Sequence, residues 1–308
     1  MTGLVRDGLD SVRRGRRTLS RGTTWWREVL LLGVLYGAYE LSRGLGDANV
    51  QTAITNGHDI LHFERMWHMA PEQVLNEAVE QITWIAVAAS YFYSLMHYVV
   101  TPVVLVWMYR KHSEHYGRAR TALAMSTALG LIGYLLLPTA PPRMLAHSGL
   151  QDTLAHTSGY GWWGGEGSVP RGLGALTNQF AAMPSLHVGW AIWCGVLVAL
   201  YARRRWVKAL GIAYPVATTV VVMATANHYL LDALAGAVTM AAGAGLMWVF
   251  TRRARDPRSA RYESLDEVIA GNSLAGARAA ATATRNSSTH EVIAAEKVDQ
   301  ECSRGTSR

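Results

Sequence analysis

Charge is scarce in this chain. Of 308 residues only 17% are Asp, Glu, Lys or Arg, while 50% are hydrophobic; a soluble domain carries roughly 25% charged residues. That scarcity excludes an ordinary soluble domain. Cysteine is as rare, at two residues. Cys194 falls in an apolar run and Cys302 in a polar tail, so no disulfide framework is implied. Lysine occurs three times (Lys111, Lys208, Lys297) among 29 basic residues. The net charge of +7 does not point to nucleic acid, because the arginines stand beside apolar runs, where they report topology first.

What is present is a series of runs near the roughly 20 residues needed to cross a bilayer. The sequence predicts an all-α polytopic membrane protein with six transmembrane helices, at about 25–45, 79–109, 121–137, 184–201, 207–226 and 229–250. The second is long and contains Pro102, which predicts a kink or tilt within one helix. Charge supports six spans. Basic residues crowd residues 1–27, 110–120, 202–208 and the segment after Phe250, whereas 46–78 holds only Arg65 and 138–183 only Arg143 and Arg171. All basic-rich segments then share one side, which the positive-inside rule makes cytoplasmic. Both termini are expected there, in the plasma membrane. The first span is too long for a signal-peptide core and is expected to remain as an anchor.

Three regions follow: a basic cytoplasmic N-terminus (1–24), a transmembrane catalytic domain (25–250), and a polar, mostly disordered cytoplasmic tail (251–308) with one short helix around 264–270. Outside the spans, residues 58–69 place Ile60, Leu61, Phe63, Met66 and Trp67 largely on one helical face, which reads as an amphipathic helix at the interface. The Gly-rich segment 138–183, with Trp162 and Trp163, reads as a partly ordered lid.

Polar chemistry gathers at the extracytoplasmic ends of the spans. Pro138-Thr-Ala-Pro-Pro-Arg143 follows the third span, Pro184-Ser-Leu-His187 opens the fourth, and Asn227-His-Tyr-Leu-Leu-Asp232 opens the sixth. His228 and Asp232 are four apart, hence neighbours on one helix face. The carboxylate can then hold one ring nitrogen and leave the other as nucleophile or base. Arg143 offers a planar fork for phosphate that keeps its charge. The helix opening at Pro184 presents backbone N–H groups and a positive dipole end, with the Ser185 hydroxyl beside them. His187 can protonate a leaving oxygen. Asn227 and Tyr229 flank the nucleophile and are candidate substrate contacts, helix-end anchoring being the other reading for the tyrosine. No metal and no cofactor are required, because Arg143, the helix end and the histidines meet the charge. His58, His62 and His68 lack the cysteine or clustered carboxylates of a metal site. His97 lies within the second span, where ionisable groups are costly and usually functional; packing against Tyr91, Tyr93 or a water is its alternative.

Together these segments resemble the three signature motifs of the type-2 phosphatidic acid phosphatase superfamily, and within it the branch holding inositol phosphorylceramide synthases and related bacterial proteins. The resemblance covers about residues 25–250. It implies a six-helix bundle, a phosphohistidine on His228, His187 as acid and then base, and Asp232 as orienter. The phosphatase branch carries a Lys ahead of the first-motif Arg, Gly in the second motif and Ser-Arg before the last His. Here no Lys precedes Arg143 within the third span, Leu186 replaces the Gly, and Val221 and Val222 replace Ser-Arg. These departures favour passing phosphate or a phospho-headgroup from a membrane lipid to an alcohol such as inositol, a sugar or a lipid, over transfer to water. A non-enzymatic lipid transporter or scaffold would have no need of the His187, His228 and Asp232 set.

Overall fold

The computed structural model describes residues 50–163 and 178–253, with Trp26, Leu30, Gly33, Val34 and Gly37 besides. Those five are helical and exposed. The remainder of the expected first span, the basic N-terminus, segment 164–177 with Arg171, and the tail beyond 253 with its expected short helix lie outside the described residues. The chain divides into two units, Met1–Trp248 and Val249–Arg308, and the elements below build the first.

Among the described residues seven helices longer than one turn carry the fold: α1 (Val50–Met66), α2 (Pro71–Glu80), α3 (Thr83–Lys111), α4 (Ser113–Leu136), α5 (Leu186–Tyr201), α6 (Arg205–Ala224) and α7 (Leu230–Arg253). Among the described residues α3, α4, α6 and α7 are long and apolar enough to cross a membrane, and α5 is a shorter apolar helix. At 29 residues and 1.5 Å per residue, α3 is about 43 Å long, ample for a tilted span. Pro102 sits inside it without ending it, so the long second run is one helix.

Helix α3 turns its small and polar residues inward and many of its large apolar ones outward. On α3 the buried set is Ala86, Ala89, Ser90, Ser94, His97, Thr101, Val104 and Met108, recurring every three or four residues, while Tyr98, Val99, Val103 and Val106 are exposed. A membrane helix buries small and polar residues against its neighbours and gives its large apolar ones to lipid. Near the basic loops the core is Val104, Met108, Leu123, Trp193, Leu197 and Met240, and the Trp193 indole N–H donates to the Ala119 carbonyl at 2.9 Å. Gly236 shows why small residues recur here: a Cβ at this position would overlap the carbonyl of Ser185.

At the other end α1 and α2 cover the bundle. Helix α1 begins eight residues before the expected 58 and buries a different stripe from the expected one. Ala53, Gly57, Leu61 and Glu64 face the protein, whereas Phe63, Met66 and Trp67 are exposed. The expected single apolar face is therefore split, Leu61 packing inward and the aromatics outward. The helix stops in a Schellman turn. The His68 N–H donates to Arg65 O and the Met69 N–H to Glu64 O, with His68 left-handed at φ 54°. This sharp stop leads the chain into α2, which packs on α6 and α3. Asn76 of α2 then ties three segments at once, donating to the carbonyls of Gln151 and Ala224 and to Thr153 Oγ1.

Candidate active site

Backbone hydrogen bonds stitch the three motif segments together before any side chain acts. Thr139 N donates to Phe180 O and Ala182 N to Thr139 O, a short parallel bridge between the first and second segments. Arg143 N donates to Ala226 O and Ser185 N to Asp232 O, both at 2.9 Å, closing the first and second segments onto the third. Ala226 takes a left-handed φ of 52° in the tight α6–α7 turn, a conformation costing a non-glycine residue roughly 1–2 kcal/mol. Beneath the segments lie Ala53, Leu61, Ala140, Leu145, Phe180 and Tyr229.

His228 sits just ahead of α7 and is 4% exposed. Its Nδ1 lies 2.9 Å from the Ala182 carbonyl and 3.3 Å from Asp232 Oδ2. A carbonyl only accepts, so Nδ1 carries the proton and Nε2 of the neutral ring keeps its lone pair. The spacing-based expectation for Asp232 is met geometrically, but the shorter contact is to a backbone carbonyl that sequence could not reveal. Asp232 Oδ2 also accepts from the Tyr229 N–H at 3.0 Å.

His187 is the second residue of α5, behind the N-cap Ser185. Its ring stacks on Tyr93 at 4.7 Å between centroids and meets His97 edge-on at 4.4 Å and His228 at 5.6 Å. His187 Nε2 is buried without a hydrogen-bond partner among the described residues. His97 thus packs on a site residue from within the bundle, its Nδ1 3.2 Å from Tyr93 O.

Arg143 lies in a single 3-10 turn, Pro142–Met144, led by Pro141 and Pro142. Its Nε donates to Asn227 Oδ1 at 3.0 Å and its Nη1 to Asp152 Oδ2 at 3.2 Å. Nη2 remains without a partner among the described residues. Asn227 in turn donates to Thr225 O and Oγ1, so it aims Arg143. Tyr229 is fully buried and donates its hydroxyl to Ala140 O at 2.8 Å, holding down the Pro-rich segment. Ser185 is fully buried as the α5 N-cap, its Oγ 3.5 Å from the Val188 N–H.

Sequence reasoning missed Asp152, the partner of Arg143. The signal was present: Asp152 precedes Thr153-Leu-Ala-His156, and its Oδ1 caps that one-turn helix at Ala155 N, 3.0 Å away. Glu64 was missed as well. It is wholly buried on the inward face of α1, and its Oε1 accepts from Leu231 N at 2.6 Å. Its register with Gly57 and Leu61 on one helix face was readable.

The described residues thus bring a basic fork, a helix N-terminus and a His–His–Asp set to one end of a bundle of apolar helices. The comparisons with known proteins give the class: the sequence profile of the PAP2 superfamily matches residues 58–261. The chain belongs to the PAP2 superfamily, whose members act on lipid phosphates by metal-independent phosphoryl transfer. No curated protein and no solved structure matched it.

Proposed function

We propose that this protein is a lipid phosphotransferase: it cleaves a lipid phosphate ester or phosphodiester through a phosphohistidine on His228 and passes the phosphoryl or phospho-headgroup to an alcohol. The observation that carries this reading is the clamped His228 ring, whose Nδ1 is held by Ala182 O and Asp232 Oδ2 and whose Nε2 thereby keeps its lone pair. That lone pair forms the N–P bond as the P–O bond to the leaving alkoxide breaks. Protonated His187 gives its proton to that oxygen. In the second half the acceptor O–H loses its proton to His187 while its oxygen attacks phosphorus and the P–N bond breaks. Arg143, the first backbone N–H groups of α5 and the Ser185 end of that helix hold the phosphate oxygens. Asn227 and Tyr229 bind substrate indirectly, by aiming Arg143 and anchoring its segment.

Transfer to an alcohol is favoured over water by what surrounds the third motif. Val222 is 1% exposed and packs with Val188, Met223 and Ala233. An apolar cluster therefore occupies the place where the phosphatase branch carries a cation. The family's activity on lipid phosphates and the exposed Phe63 and Met66 of α1, with Trp67 just after it, support a substrate drawn from the membrane. We place the site on the extracytoplasmic face of the plasma membrane within six spans. Both termini are cytoplasmic, with 25–250 the catalytic domain between a basic N-terminus and a polar tail. The helix directions support this: the site joins the α4 end with the α5 and α7 starts, whereas Arg110, Lys111 and Arg203–Arg205 stand at the opposite helix ends.

His228→Ala should abolish transfer from a labelled lipid phosphate in reconstituted vesicles while the protein stays folded; undiminished turnover would refute the mechanism. Product analysis with and without inositol, a sugar or a second lipid identifies the acceptor. Inorganic phosphate released at the same rate in every case would assign a phosphatase.

A further inference from the structure

Two carboxyl groups lie under the catalytic helix with no role in the chemistry above. Glu64 of α1 and Glu72 of α2 are both fully buried. Glu64 Oε1 accepts from the Leu231 N–H at 2.6 Å, at the first turn of the helix that begins just after His228 and carries Asp232. Glu64 Oε2 and both Glu72 oxygens lack a well-formed hydrogen bond from any donor outside the pair among the described residues. Two buried carboxylates set against each other repel, and buried charge without enough donors costs several kcal/mol. One proton between them removes the conflict. A neutral Glu64 donates from Oε2 to Glu72, accepts from Leu231 N at Oε1, and leaves one negative charge on the pair.

The surroundings decide where that charge sits. Glu72 is in the first turn of α2, whose positive dipole end favours an anion, and Arg65 lies close enough to favour its ionised form. Glu64 faces Asp232 and Glu72, both of which oppose its ionisation, and Tyr229 borders the pair as well. Desolvation by burial, with those neighbours, raises the Glu64 carboxyl to about 9. The same cause raises Glu72 above the usual carboxylate range.

We propose that Glu64 and Glu72 share one proton, and that the neutral Glu64 so formed is a positioning residue that caps α7 and holds His228 and Asp232 in reacting geometry. The consequence for activity rests on the phosphohistidine reading; the shared proton does not. Opening the pair by removing its proton places a second negative charge beside Asp232 and pulls Glu64 from a neutral hydrogen bond into repulsion with Glu72. The sign follows from a folded-state value raised above the unfolded one. The pair's contribution is complete at low pH, declines relative to the unfolded chain as pH rises, and is gone once Glu64 ionises above about 9.

Glu64→Gln reproduces the proposed state, since its amide oxygen accepts from Leu231 N and its N–H donates to Glu72. The variant should keep turnover within about twofold of wild type near neutrality and retain it above pH 9, where wild type falls. Glu64→Ala should lose at least tenfold in kcat with KM little changed. Equal loss in both variants would overturn the proposal, because charge rather than a neutral cap would then be required; so would an unimpaired Glu64→Ala. Because Glu64→Ala risks misfolding, infrared difference spectra of the folded wild type, taken near neutrality and above pH 9, give an independent reading. A protonated-carboxyl C=O stretch that disappears at high pH and is missing in Glu64→Gln supports the pair; its absence from wild type overturns it. That band appears whether or not the protein transfers phosphate, so failure of the enzymatic reading stays separate.

Discussion

Replacing Asp232 by Asn separates two duties that a catalytic carboxylate usually performs together. The first is fixing the tautomer of His228, and here the carbonyl of Ala182 at 2.9 Å already does so. The second is stabilising the imidazolium-like ring while N–P bonding develops, which only the charge can do. In Asp232→Asn the amide oxygen should take the place of Oδ2, because the Tyr229 N–H pointing there at 3.0 Å would clash with an amide N–H. Geometry therefore survives and charge does not. At the observed 3.3 Å and an effective dielectric of about 20, a full charge pair interacts by about 5 kcal/mol. With charge about half developed in the transition state, about 2.5 kcal/mol is lost, or roughly 70-fold in rate. The assay is rapid-quench measurement of phosphohistidine formation in a single turnover on a labelled lipid phosphate, normalised to folded protein. Where a carboxylate alone sets the tautomer, the same change costs about 10⁴-fold. A loss of that size here would refute the role given to Ala182. A loss under tenfold would refute Asp232 as the charge partner of the ring.

Two further perturbations test the scaffold around the site. Asp152→Ala removes one of the two side-chain anchors of Arg143 and a helix cap; KM should rise about tenfold, with a stability loss of about 1 kcal/mol visible in thermal unfolding. Gly236→Ala forces a methyl against the Ser185 carbonyl, and because that neighbour is backbone the two helices must separate. Turnover should fall more than tenfold and stability by about 1–3 kcal/mol, measured on detergent-solubilised protein; wild-type values would refute the close α5–α7 contact.

The site was more legible in sequence than its support. His187, His228, Asp232 and Arg143 announced themselves because membrane segments tolerate few ionisable groups, so each one stands out against its run. The i, i+4 relation then forced two of them together. Their orientation was not legible in the same way. Ala182 O fixes the His228 ring, yet a carbonyl has no residue identity, and its placement 46 residues upstream of the ring depends on the Thr139 bridge. Asn227 and Tyr229 were recognised as neighbours of the nucleophile, but their polar groups turn toward Arg143 and Ala140.

Helix α1 illustrates the physical reason for what was hidden. A search for apolar periodicity in 58–69 finds Ile60, Leu61, Phe63, Met66 and Trp67, of which Phe63, Met66 and Trp67 are exposed and Leu61 is buried. In a membrane protein the lipid-facing stripe is the more apolar one, and the inward stripe is small or polar: Ala53, Gly57, Leu61, Glu64. Hydrophobicity therefore marks the outside, inverting the rule that serves for soluble helices. Read with that inversion, a lone glutamate in register with glycine and alanine on α1 becomes the residue to examine first. The same logic singles out His97, in register with Ser90, Ser94 and Thr101 along the buried face of α3, and it is that face which carries His97 to within 4.4 Å of His187.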